Sequence, residues 1–232
     1  MLVIKNSKAR RLLKYSIPLV LIPCITVSSS FVFREKSYSA AAVIISLLAL
    51  LLFSAGFEKK KTGSRRMVIT AVLTALAVAG RFIFTPVPGG NPITAFAVIS
   101  GMYLGSEAGF FTGSVSAVLS NLFAGQGVWT PFQMLSWGLI GFFAGLLSFI
   151  LKKNKIILSV YGIISAVAYS FLMDIWTVVW YNNGFKLSLF ISAIATAAPF
   201  TAIYAVSNVI FLLLLSKPFG QKLERIKIKY GV

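Results

Sequence analysis

Long apolar blocks follow one another along almost the whole chain, and this pattern leaves few folds open. Eight blocks can be drawn: Leu12–Phe33, Tyr38–Phe57, Arg66–Phe84, Pro92–Leu104, Glu107–Ala124, Thr130–Leu151, Ile156–Tyr181 and Leu189–Ser216. Crossing a bilayer as a helix takes roughly 17–25 such residues, and six of the blocks are ordinary spans by that measure. Pro92–Leu104 is too short, and a helix of that length is tolerated at membrane depth only where protein or a cavity shields its end. Glu107–Ala124 is long enough but rich in small residues, so it is expected to be buried against its neighbours. Only 12% of the 232 residues are charged, whereas a soluble domain carries about a quarter. The expectation is an all-α integral membrane protein with no room for a sizeable aqueous domain.

The net charge of +17 would suggest nucleic acid in a soluble protein. Here the basic residues sit between the blocks, where they act as topogenic charge facing anionic lipid. Lys5, Lys8, Arg10, Arg11 and Lys14 precede the first block. Lys59, Lys60, Lys61, Arg65 and Arg66 separate the second from the third. Lys152, Lys153 and Lys155 follow the sixth, and Lys217, Lys222, Arg225, Lys227 and Lys229 follow the eighth. Eight helices with both termini cytoplasmic put all of these inside and leave Arg34, Lys36, Arg81 and Lys186 outside, as the positive-inside rule requires. The Glu58–Arg66 stretch is the best internal boundary. It divides an N-terminal extension with two transmembrane helices (1–64) from a six-helix membrane domain with a basic cytoplasmic tail (65–232). The halves show no repeat, which argues against an inverted-repeat transporter. The single Cys24 excludes an intramolecular disulfide and a cysteine metal cluster, and is read as a packing residue. The first block is too long and lacks the cleavage pattern of a signal peptide.

Several constellations could carry function. Ala71, Ala75 and Ala79 form a small-residue strip at i+4, which permits close helix approach. It suits either internal packing or docking of another membrane subunit. Gly109/Gly113 and Gly141/Gly145 are read as internal packing. The loop Thr85-Pro-Val-Pro-Gly-Gly-Asn-Pro92 offers Asn91 as a helix cap with Pro92 following. In Gly125–Gln133, Thr130, Pro131 and Gln133 fit a capping box. Both helix starts then face outward, as sites for an anionic or carbonyl-bearing ligand or as ordinary terminations. Asp174 is the one acid well inside a span, on a polar stripe with Ser170, Thr177 and Tyr181. An intramembrane carboxylate is a functional candidate by default, with Arg81 as a plausible counter-ion or structural partner. Trp129, Trp137, Trp176 and Trp180 all fall in the outer half, as half a belt or as a stacking pocket for a planar ligand. Asn121 adds a hydrogen-bonding group, and Asn208 is read as interhelical glue.

The absences are informative. With no histidine and one buried acid, acid–base catalysis, a metal site and a proton relay lack their residues. No GxxxxGK[ST] loop is present, so energy for any active transport must come from another polypeptide.

From Arg66 to Ser216 the chain resembles the substrate-binding S components of energy-coupling factor (ECF) vitamin transporters. The Ala71/Ala75/Ala79 strip, the Pro86–Pro92 loop and the segment Ser120-Asn-Leu-Phe-Ala-Gly-Gln-Gly-Val-Trp-Thr-Pro-Phe-Gln133 carry the likeness. The resemblance implies a six-helix fold, in a bacterial cell membrane, that takes up a vitamin from the outer face. It implies partners as well: a transmembrane coupling subunit that meets the alanine strip, and two cytoplasmic ATPases. Cobalamin-type members look closest. The expected ligand contacts are Arg81, Asn91, Asn121, Gln126, Trp129, Gln133, Trp137, Asp174, Thr177 and Tyr181, with no cofactor and no metal. The rival readings are a membrane enzyme acting on a lipid-linked substrate and a ligand-free assembly factor.

Overall fold

A computed structural model describes residues 7–31, 38–55, 60–87, 89–182 and 184–230. In chain order the elements are α1 (Ser7–Ser16), a π-helical stretch (Ile17–Leu21), α2 (Ile22–Phe31), α3 (Tyr38–Ala55), α4 (Lys60–Ile83), α5 (Ile93–Leu104), α6 (Ser106–Ala124), α7 (Thr130–Leu146), α8 (Ser148–Lys153), α9 (Lys155–Asn182) and α10 (Leu187–Tyr230). Among the described residues the protein is all helix and turn. Lys5, Arg34, Lys36 and Lys59, used above for topology, lie outside the described residues, as do Phe33, Phe57, Glu58 and Pro88.

Four helices are long and apolar enough to cross a membrane: Lys8–Ser28, Ser64–Ile83, Lys155–Asn182 and Leu187–Tyr230. Large apolar side chains cover the outside; Leu12, Val68, Phe123, Phe149, Ile164 and Phe200 are each more than half exposed. A soluble monomer does not tolerate so much exposed apolar surface. In lipid it costs nothing, and the chain is an all-α multi-pass membrane protein.

The short helix α5 is the centre of the bundle. It is apolar around its whole circumference, and its residues are buried from Ile93 to Met102. It begins at Ile93 with Pro92 in the cap position, one residue later than a cap at Asn91 would give, and Asn91 Oδ1 accepts the Ile93 N–H at 3.0 Å from just outside the helix. Its end is Gly105, at φ +101°, where an added Cβ would sit 2.8 Å from Arg66 Nη2. That one residue turns the chain into α6. The α5–α6–α7 core is held by backbone proximity. A Cβ on Gly101 or Gly109 would strike the Gly141 carbonyl oxygen, and one on Gly145 would strike Ser106. The glycine pairs therefore serve internal packing, and Thr112 Oγ1, which donates to Ser100 Oγ at 2.9 Å, adds a polar stitch.

Two ends of the bundle can be told apart. At the basic end, Lys14 of α1 and Arg66 of α4 pair with Glu107 of α6, at 3.1 and 3.6 Å. At the loop end, Arg81 near the end of α4 meets Ser120 and Asn121 near the end of α6. The N-terminal helices pack on α6 and α7 rather than standing apart. Ile17, Ile22, Ile45, Leu52 and Phe53 join the main apolar core.

Three expectations need correction. The eighth block ends at Ser216 by hydropathy, but α10 runs on to Tyr230. Its Lys, Arg, Glu and Leu residues are good helix formers, and Gly220 and Leu223 are buried, with Gly220 tight against the Tyr103 ring. The capping box at Thr130 does not form. The helix begins at Thr130 itself, and no side chain caps it; the Thr130 and Gln133 side chains are engaged elsewhere, as described below. Cys24 is exposed on the surface of α2 and is not a packing residue. Asn208 is fully buried and donates from Nδ2 to the Gly162 carbonyl at 3.2 Å, so it does tie α10 to α9.

Candidate functional site

At the loop end the helices border an open cavity of about 390 Å3. Arg81 and Phe84 come from α4 and its end, and Trp137 from α7. Tyr169 and Ser170 come from α9, and Phe200 and Tyr204 from α10. The loop residues Thr85, Val87, Gly89, Gly90 and Asn91 close it, with Ala124 at the rim. Gly89 presses the loop onto α10. Its φ is +70°, and an added Cβ would lie 2.8 Å from Ile203 Cγ2, so a side chain there would lift the loop.

Aromatic rings form much of the wall, and three of them, Trp137, Tyr169 and Tyr204, are held by specific bonds. The Trp137 indole stacks on Tyr169 with centroids 4.9 Å apart. Its Nε1 donates to the Tyr204 hydroxyl at 2.7 Å. That hydroxyl also meets Thr94 Oγ1 at 2.5 Å. The Tyr169 hydroxyl accepts from Gln133 Nε2 at 3.0 Å. Arg81 lies over the Trp137 ring, 5.5 Å from its centroid. These rings cannot swing freely, because each would strand a polar partner.

Behind the wall runs a polar network. Arg81 Nη1 donates to Ser120 Oγ at 2.6 Å and to Asn121 Oδ1 at 2.8 Å. Asn121 Nδ2 donates to Thr130 Oγ1 at 2.9 Å and to Gln133 Oε1 at 2.8 Å. Thr130 in turn donates to Gln126 Oε1, and Gln126 Nε2 to the Val118 carbonyl, both at 2.9 Å.

Of the residues singled out in the sequence, Arg81, Asn91 and Trp137 line the cavity. Asn121, Gln126 and Gln133 are brought together with Arg81, as the support behind it. Trp129 packs edge-on against Trp176 at 6.1 Å, away from the cavity lining. Asp174, Thr177 and Tyr181 lie further along α9. Thr177 donates to its own helix at Met173, and Tyr181 is 76% exposed. Asp174 is buried, but among the described residues it pairs with no cation. Arg81 spends its bonds on Ser120 and Asn121 rather than on Asp174, because α6 presents those acceptors directly beside it.

Ser170, read only as part of the Asp174 stripe, also lines the cavity, whereas Tyr169, Tyr204, Phe84 and Phe200 were not anticipated. The signal for the two tyrosines was present. Tyrosine belongs at the membrane interface, yet Tyr169 and Tyr204 sit near the middle of the seventh and eighth blocks.

A helical membrane bundle with an open, aromatic, hydrogen-bonding cavity at one end suits a small organic solute. The chain belongs to the ECF-type riboflavin transporter S component family, whose model matches residues 61–224. It is therefore the substrate-binding membrane subunit of an ECF transporter, a transport subunit rather than an enzyme, and its family works with a transmembrane subunit and ATPases. The family matched is the riboflavin type, not the cobalamin type expected from the sequence. No curated protein and no solved structure matches the chain.

Proposed function

We propose that this S component captures riboflavin, or a vitamin with a similarly flat ring system, in the cavity at the loop end. The observation that carries the reading is the cavity wall. Trp137, Tyr169, Tyr204, Phe84 and Phe200 surround about 390 Å3, a volume at the small end of the range for ligand pockets. Arg81, Asn91 and Ser170 supply the few polar groups that orient a ligand. A corrinoid with its nucleotide loop is far bulkier than this space, so cobalamin, the initial preference, fits less well.

The loop end faces the outside and the basic end the cytoplasm, with both chain termini inside. The charge distribution supports this, since the basic clusters lie at the end where Lys14, Arg66 and Glu107 meet. The alanine strip serves partner docking. Ala71, Ala75 and Ala79 are exposed, while α4 buries the opposite face through Thr70, Leu73, Thr74 and Ala77. Residues 1–64 are an extension to the six-helix domain 65–232; the family match starts beside the beginning of α4. The test is direct. The full chain is purified in detergent, the small molecule that accompanies it is identified, and riboflavin and cobalamin are titrated against tryptophan fluorescence. Quenching by riboflavin alone is expected. Binding of cobalamin without riboflavin would overturn the reading.

A further inference from the structure

Arg81 is the one charged side chain lining the cavity. A cation at this depth in a membrane bundle is costly unless something uses it. Among the described residues no carboxylate pairs with it, since Glu107 serves Lys14 and Arg66 at the other end and Asp174 stands apart. The guanidinium carries donors on all three of its nitrogens in a rigid fork. Nη1 is committed to Ser120 and Asn121. Among the described residues Nε and Nη2 donate to no protein group, and neither is fully buried. Their direction is fixed from behind, because Asn121 is itself held by Thr130 and Gln133. The ring of Trp137 holds the guanidinium from one side. The donors are therefore aimed before any ligand arrives.

From this we infer that Arg81 is a specificity-determining residue. Its free donors grip an oxygen-bearing edge of the ring ligand, a carbonyl or imide, and its uncompensated charge repels cationic rings. This rests on the cavity being the vitamin site. A hydrogen bond to a charged donor in such a place is worth about ten- to a hundredfold in affinity.

The experiment uses the purified full chain with riboflavin and with the analogues in which sulfur replaces the ring oxygen at C2 or at C4, sulfur being a weak acceptor. Wild type should prefer riboflavin over at least one analogue by roughly tenfold or more. Arg81→Met should weaken riboflavin and abolish that preference, whereas Arg81→Lys should retain part of it. Thiamine, a cationic ring, should not compete with riboflavin on wild type. A Met variant that binds riboflavin normally, or keeps the full preference for oxygen, would sink the inference, as would competition by thiamine. If thermal unfolding shows the Met variant misfolded, a folded Lys variant without any preference overturns it instead. Wild type that fails to bind riboflavin at all refutes the ligand assignment above, and this inference with it.

Discussion

The Tyr204 hydroxyl separates what builds the cavity from what touches its contents. It accepts from Trp137 Nε1 at 2.7 Å and shares a bond with Thr94 Oγ1 at 2.5 Å. All three residues are buried, Trp137 to 1% exposure and Thr94 completely. Tyr204→Phe keeps the ring and its edge contact with Tyr169 at 5.3 Å, but strands the indole N–H. A buried donor left without a partner costs about 1–3 kcal/mol. Thr94 loses less, because a helical threonine can rotate and bond to its own turn. Interhelical hydrogen bonds in membranes average only about 0.6 kcal/mol and reach about 1.7. The expected loss is thus about 1–2 kcal/mol, or roughly 2–8 °C in Tm for a chain of this size. Thermal unfolding in detergent, followed by tryptophan fluorescence, reads the stability. Riboflavin affinity, measured well below Tm on the same sample, should change less than about threefold, because the hydroxyl is already engaged by Trp137 and Thr94. Unchanged Tm with a tenfold loss of affinity would refute the reasoning, and would assign the hydroxyl to the ligand.

Other perturbations probe other parts of the molecule. Ala75→Leu adds bulk to the exposed strip of α4 and should abolish uptake with the coupling partners while leaving riboflavin binding by the isolated subunit intact; lost binding would show that the strip packs internally. Glu107→Gln leaves Lys14 and Arg66 facing each other without their shared carboxylate, and should cost on the order of 3 kcal/mol, seen as a lowered Tm. Lys14→Met should be milder, because Arg66 keeps its partner. Cysteines at Gly63 and Asn154, with Cys24 replaced by serine, should react with an impermeant reagent only from inside, and one at Gly184 only from outside; an outward Asn154 breaks the proposed topology.

The bilayer made the elements easy to read and the site hard. A span must be long and apolar, so the drawn blocks fall on the helices, although α7 ends at Leu146, inside the sixth block, and α4 begins at Lys60, before the third. Agreement failed where lipid stops governing, at the tail of α10, because a helix can continue on propensity and docking after its hydropathy ends. The cavity lining was legible where a residue broke the membrane pattern: a cation at Arg81, a polar loop residue at Asn91, a tryptophan at Trp137. Asn121, Gln126 and Gln133 were marked for the same reason, but polarity in a span shows only that a partner exists. Whether that partner is ligand or protein depends on rotation about the helix, which spacing within one helix does not reveal. Tyr169 and Tyr204 escaped because they resemble ordinary aromatic filling until their depth is weighed.

The position of the cavity follows from a change of residue type along α7. From the basic end, Gly145, Gly141 and Gly138 let this helix touch its neighbours backbone to backbone, or nearly so, against Ser106, Gly109 and Ser114. Gly113 ends the series from the other side, where an added Cβ would strike the Trp137 carbonyl. Beyond that point α6 and α7 are joined by side chains, through Asn121 to Thr130 and Gln133. Small residues bring helices close, and a polar side chain reaching across holds them at its own length. The bundle is therefore pinned at the basic half and spaced at the loop half. Because α5 is only 12 residues long, it cannot fill the space that opens, and the Pro/Gly loop and the aromatic rings border it instead. The cavity is thus confined to one end, above a core too tight to rearrange. The exposed strip of α4 spans both halves, from Ala71 to Ala79, so any partner docked along it lies beside the rigid part and, at Ala79, two residues from Arg81 of the cavity lining.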